Sequence, residues 1–153
     1  MMPPCLAIKL LSSQALLSLG LLFSSLSPVK AGLSGCDELS VIAETPQVDF
    51  TNEIQPIFDS NCIHCHGGPK PIAFMDLEQG YSELIGIPSF QTPFFNRIEP
   101  GNPANSYLFL KINCASQFSG DRMPRDAQPL SLFNQALIRD WISQILIFKN
   151  DFE

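Results

Sequence analysis

The stretch Cys62-Ile63-His64-Cys65-His66 decides how the rest of the chain is read. It is a C-x-x-C-H motif, and the spacing has a chemical reason. Two thiols three residues apart lie on one side of a helical turn. There both can add to the two vinyl groups on adjacent pyrrole rings of a haem, and the histidine next in line turns its imidazole toward the iron. The motif predicts covalent attachment of one haem c through Cys62 and Cys65, with His66 as proximal iron ligand. His64 sits inside the motif, but successive side chains in a helical turn differ in direction by roughly 100°, so it is expected to face away from the iron.

Rival chemistries use the same residues. A thioredoxin-like pair is also C-x-x-C, but it expects a βαβ context that the sequence around Cys62 lacks. A zinc-stapled module could use Cys62, Cys65 and a histidine, with Cys114 or Cys36 as fourth ligand. The usual second C-x-x-C or H-x-x-x-H half is missing, however. A plain Cys62–Cys65 disulfide would give His66 no role.

A histidine-ligated iron needs a second axial partner or an open site. Met75 is nine positions after His66, where the chain must still pass along the haem edge, and it reads well as a core residue in Ile72-Ala73-Phe74-Met75-Asp76-Leu77. Met123 lies 57 positions on, far enough for the chain to wrap the ring. It stands in the polar stretch Gly120-Asp121-Arg122-Met123-Pro124, where an apolar residue needs a reason and the proline stiffens the backbone beside it. Met123 is therefore the expected distal ligand. Histidine–methionine ligation raises the reduction potential. It also fills the sixth position, so the iron is expected to pass single electrons and to catalyse nothing by itself.

Outside the motif, the chain reads as one exported domain. It has 153 residues, 45% of them hydrophobic, which excludes a long disordered chain. Nine Lys+Arg against fifteen Asp+Glu give a formal net charge of −6. So few scattered cations exclude a nucleic-acid binder. The apolar run Leu10–Leu26, stopped by Pro28 and followed by Val29-Lys30-Ala31, reads as a secretory leader cleaved after residue 31. At seventeen residues it is short for a membrane span of about twenty. Leu33-Ser34-Gly35-Cys36 also resembles a lipobox, which would place cleavage before Cys36 and a lipid on it. The expected organisation is a leader over 1–31, an N-terminal arm over 32–48, a haem domain over 49–147 and a tail over 148–153. The expected location is the periplasm or cell envelope. Membrane association would come only from a lipid on Cys36 or an uncleaved leader.

About four short helices are predicted. The first carries Phe50, Ile54, Ile57 and Phe58 at helical spacing, capped by Thr51 or Asn52, with Pro56 near its first turn. A second spans about Asp76 to Ile85. A third starts at Asn102 or Pro103 and runs to about Ile112. The last extends from about Ser131, its N-cap, to Ile147, with Phe133, Leu137, Trp141 and Ile145 every four residues. Trp141 is expected to pack against the first helix. The Pro-broken stretch from Ile87 to Ile98 is expected either to cover a haem edge or to close the core.

Taken together, these segments resemble the class I c-type cytochromes, and more narrowly their small exported single-haem domains. FTNEIQPIF, CIHCHGG, PGNPANSYLFLKI, RMP and the DWI of the final helix carry the likeness from about Asp49 to Leu146. The resemblance implies an all-α fold with first and last helices crossing near the haem. It also implies Cys62 and Cys65 as attachment sites, and His66 and Met123 as axial ligands. A proline carbonyl after the haem histidine would orient its imidazole, with Pro69 and Pro71 both candidates. The implied activity is one-electron transfer with redox partner proteins. The alternatives are a haem-based sensor and a haem subunit of a larger oxidoreductase.

Cys36 and Cys114 remain. Outside the cytoplasm their pairing is the economical reading, and it would tie the arm to the loop carrying Met123. Lipidation of Cys36 is the rival, and it would leave Cys114 as a free exported thiol. The acidic surface suits basic partners and serves solubility equally well.

Overall fold

Asp49 starts the first helical segment, in place of the expected Thr51 or Asn52. Its carboxylate accepts from the Asn52 N–H at 2.7 Å, and Glu53 reaches back to accept from the Asp49 N–H at 2.7 Å. This is a capping box displaced by one residue. Phe50–Ile54 then winds as a π-turn, with the Gln55 N–H bonded to the Phe50 carbonyl five residues back. Pro56 supplies the reason. It has no N–H for the Asn52 carbonyl, and its ring would press on that oxygen, so the helix widens just before it. Helix α1 (Gln55–Asn61) follows and delivers the C-x-x-C-H motif from its C-terminal end.

The computed structural model describes residues 35–115 and 119–146. The predicted leader over 1–31, the tail over 148–153 and the predicted helix end at Ile147 lie outside them. Among the described residues there are three helices and only isolated bridges, with no named strand. The second predicted helix is a correction: between Asp76 and Ile85 only Gly80–Glu83 coils, as a 3-10 turn. Gly80 holds a positive φ of 46° at its start, a conformation an α-helix does not use.

Helix α2 (Tyr107–Asn113) is shorter than predicted, because Pro103–Asn105 forms a separate 3-10 turn capped by the Asn102 side chain. It buries Leu108, Phe109 and Ile112. Helix α3 (Leu132–Gln144) starts at the expected cap, where Ser131 Oγ accepts from the Asn134 N–H at 3.1 Å. Its stripe Leu137, Ile138, Trp141 and Ile142 meets Ile54 and Phe58 in one core. Trp141 lies as expected against the first segment, its ring 5.1 Å from that of Phe50. Truncating a buried aromatic such as Trp141 or Phe58 would cost roughly 3–5 kcal/mol.

The arm is fastened to α3 along its length. Arg139 Nη1 donates to the Leu39 carbonyl at 2.9 Å, Asp140 Oδ2 accepts from the Thr45 N–H at 2.8 Å, and Gln144 Oε1 accepts from the Val48 N–H at 2.7 Å. At the arm's start Cys36 and Cys114 form a disulfide. A thioether-linked lipid on Cys36 would need the sulfur that this bond uses. No helix among the described residues is long and apolar enough to cross a membrane.

Candidate functional site

The motif continues the helical path for one more turn: the Cys62 N–H reaches the Phe58 carbonyl at 2.8 Å, and the His66 N–H reaches the Cys62 carbonyl at 2.9 Å. Two glycines then let the chain leave. A Cβ on Gly67 would stand 2.7 Å from the Ile63 carbonyl oxygen, and Gly68 has a φ of +73°. The first needs the absence of a side chain and the second needs the left-handed conformation that glycine adopts without strain.

His66 is oriented by a carbonyl, as the resemblance implies, but the carbonyl belongs to Ile72. His66 Nδ1 lies 3.0 Å from Ile72 O. Neither Pro69 nor Pro71 has this role. A carbonyl can only accept, so Nδ1 donates, which in the neutral ring leaves Nε2 with its lone pair. Burial first, and the Arg97 charge to a smaller extent, push the His66 imidazole below its ordinary value, against the upward pull of the Ile72 hydrogen bond.

An open-mouthed, mostly apolar cleft brings three of the four predicted groups together, while Cys65 is exposed and does not line it. Cys62, His66 and Met123 all line it, among Phe58, Leu108, Leu130 and Ile138. Met75 lines it too, and Met75 and Met123 are both half-buried against the same core. Met123 is held from the backbone, its N–H donating to the Lys111 carbonyl at 2.8 Å. His64 is exposed and borders a separate polar groove with Asp59 and Glu78. The Ile87–Ile98 loop contributes Ser89, Phe90 and Gln91 to the cleft wall.

Cys62 and Cys65 are free and not joined to each other. Burial, and then the repulsion of a neighbouring Cys65 thiolate, push the Cys62 thiol up to about 11. A reactive redox cysteine needs the opposite shift. Among the described residues no three His, Cys, Asp or Glu side chains gather to hold a metal ion, so a zinc staple lacks its donor set.

Two residues of the cleft escaped the sequence reading. Arg97 is buried and bonds three ways: Nη1 donates to the Glu83 carbonyl at 2.7 Å and to the Glu83 carboxylate at 3.2 Å, and Nη2 donates to the Phe74 carbonyl at 2.8 Å. Lys111 is buried as well, with Nζ donating to the Ser119 carbonyl at 3.0 Å. Burial pushes its ammonium below the ordinary lysine value, against the pull of Asp121. A lone cation inside an apolar run, as in FFNRI and LFLKIN, was the available signal. No protein-family model, no curated protein and no solved structure matches this chain.

Proposed function

We propose that this chain is an exported monohaem c-type cytochrome that carries single electrons and is not itself an enzyme. One observation carries the reading. Met123, 57 positions after His66 in sequence, lines the same apolar cleft as Cys62 and His66, and the Ile72 carbonyl 3.0 Å from His66 Nδ1 suits the tautomer that leaves Nε2 free for iron. The donor set fits the group: two unpaired thiols on one turn, an imidazole, a thioether and a largely dry wall.

When bound, a covalent haem supplies a one-electron iron couple. The chain's own residues would do the rest. Cys62 and Cys65 would hold the ring through their sulfurs. The Ile72 carbonyl fixes the imidazole plane and increases its donor strength. Met123 would occupy the remaining axial position with a soft sulfur, which favours the ferrous state. The apolar lining excludes water and lowers the local dielectric, which also tunes the potential. Arg97 and Lys111 put positive charge on the wall, where the two carboxylates of a haem would find partners. The acidic surface suits basic redox partner proteins.

The test is expression with haem-attachment machinery, followed by haem staining of a denaturing gel and absorption spectra in both oxidation states. Colour that stays with the denatured polypeptide, and a near-infrared sulfur-to-iron band that Met123→Ala removes, are expected. A colourless mature protein, or one that yields its pigment to acidified organic solvent, would overturn the proposal.

A further inference from the structure

We infer that the N-terminal arm, through Asp37, is the positioning element that keeps Met123 on the iron; this rests on the haem reading and goes beyond it. Arg122 is the residue before Met123, and it reaches two elements at once. Its Nε donates to the Ile112 carbonyl at the end of α2, at 2.9 Å, while its other two nitrogens both face the Asp37 carboxylate. The pair is a two-point fork on a half-buried carboxylate, which adds direction as well as attraction.

Asp37 is in turn held from four sides. Gln135 Nε2, on α3 and fully buried, donates to Asp37 Oδ2 at 2.7 Å. Asn113 Nδ2 donates to the Asp37 carbonyl at 3.0 Å, and the Asp37 N–H donates to the Asn113 carbonyl at 3.0 Å. The neighbouring Cys36 is bonded to Cys114. Asn113 and Gln135 also bond each other at 3.0 Å. Asp37 is therefore fixed to α2 through its backbone and to α3 through its carboxylate as it grips Arg122.

The other hold on the ligand stretch is the Met123 N–H to Lys111 carbonyl bond. One backbone bond fixes a position but allows rotation about it. The fork on Arg122 supplies a second point, one residue away, that sets the direction in which Met123 leaves the backbone. A thioether is a weak iron ligand that an external ligand can displace, so its occupancy depends on such preorganisation. An arm that looks like a spacer between leader and haem domain thus completes the site.

The experiment uses the full holo-protein and carbon monoxide as the probe, which binds ferrous iron only where Met123 has left. Losing a charge-assisted pair should raise the fraction of detached Met123 roughly tenfold. Apparent carbon monoxide affinity should rise by the same factor. Asp37→Asn and, separately, Cys36→Ser/Cys114→Ser should both show this rise, with the sulfur-to-iron band melting at lower temperature than the rest of the fold. Asp37→Glu, which keeps the charge, should recover part of the change. A merely structural arm would lower the global unfolding temperature and leave carbon monoxide affinity alone. Folded variants of either kind with wild-type affinity and band would overturn the inference while leaving the haem reading intact. A wild-type protein without covalent haem, or without the sulfur-to-iron band, would overturn the ligand reading first and the clamp with it.

Discussion

Removing the Cys36–Cys114 bond should destabilise the fold by several kcal/mol, and the size follows from where the bond lies. The two cysteines are 78 positions apart in sequence. A bridge over that span removes loop-closure entropy from the unfolded chain worth about 4.5 kcal/mol at 25 °C in the chain-entropy treatment. Cys114 is also buried, 5% exposed, so Cys114→Ala adds a small packing loss. The double variant Cys36→Ala/Cys114→Ala should therefore lose about 5 kcal/mol. For a domain of this length, that lowers the thermal midpoint by roughly 15 °C. Guanidinium titrations of both proteins, each carrying haem, would measure it. Because most of the effect acts on the unfolded chain, the variant's denaturant slope should rise, as the uncrosslinked ensemble exposes more surface. A loss under about 1 kcal/mol with an unchanged slope would refute the reasoning. It would mean that the arm's contacts to α3 already restrict the chain as strongly as the sulfur bond does.

Other outcomes follow from single residues. Met75→Leu should keep the sulfur-to-iron band that Met123→Ala abolishes, since Met75 fills the same cleft as packing; a visible spectrum of each variant decides which sulfur is the ligand. Burial alone would raise the Asp37 carboxyl, but hydrogen bonds from Arg122 and Gln135 and the Arg122 charge overcome it and hold it below its ordinary 3.8. The pair's stabilisation is then fully present above about pH 4 and is lost as pH falls through the lowered folded value. Acid unfolding of Asp37→Asn should be shallower in that range. Ala73 and Phe74 have φ of 57° and 53°, a conformation that costs non-glycine residues about 1 kcal/mol each. Ala73→Gly should raise stability by about 0.5–1 kcal/mol in denaturant titration, unless the greater freedom of the unfolded glycine cancels it.

The helices that could be read in advance are those whose caps and stripes agree. Ser131 and the Leu137–Trp141 repeat place α3 because a hydroxyl cap and a four-residue apolar period both act locally. The first segment was legible in kind but not in start. Asp49 and Glu53 cap it together, and the π-turn that moves its register answers to Pro56, a conflict settled by the backbone and not by hydrophobic pattern. The stretch Asp76 to Ile85 has apolar residues at helical spacing, yet Arg97 reaches in from another loop and takes the Glu83 carbonyl. That contact spans 14 positions and leaves no local trace, and Gly80 breaks α-geometry inside the stretch with a φ of 46°.

The site divides along the same line. Cys62, Cys65 and His66 share one helical turn, so on the proposed haem reading their chemistry is written in spacing. The groups that aim them are backbone atoms and distant side chains. The Ile72 carbonyl orients His66 through an atom that every residue possesses, which is why proline identity was a poor guide to it. Arg122 and Asp37 meet across 85 positions. Their pairing becomes visible only once the arm has crossed α3 and the disulfide has brought residue 37 beside the end of α2. A deletion that trims the chain to the motif-bearing segment from residue 49 would therefore retain Cys62, Cys65, His66 and Met123 and discard the carboxylate that pairs with Arg122 beside Met123. A boundary drawn at residue 49 from sequence motifs cuts through the contacts that join the arm to α3 and so falls inside the folded unit.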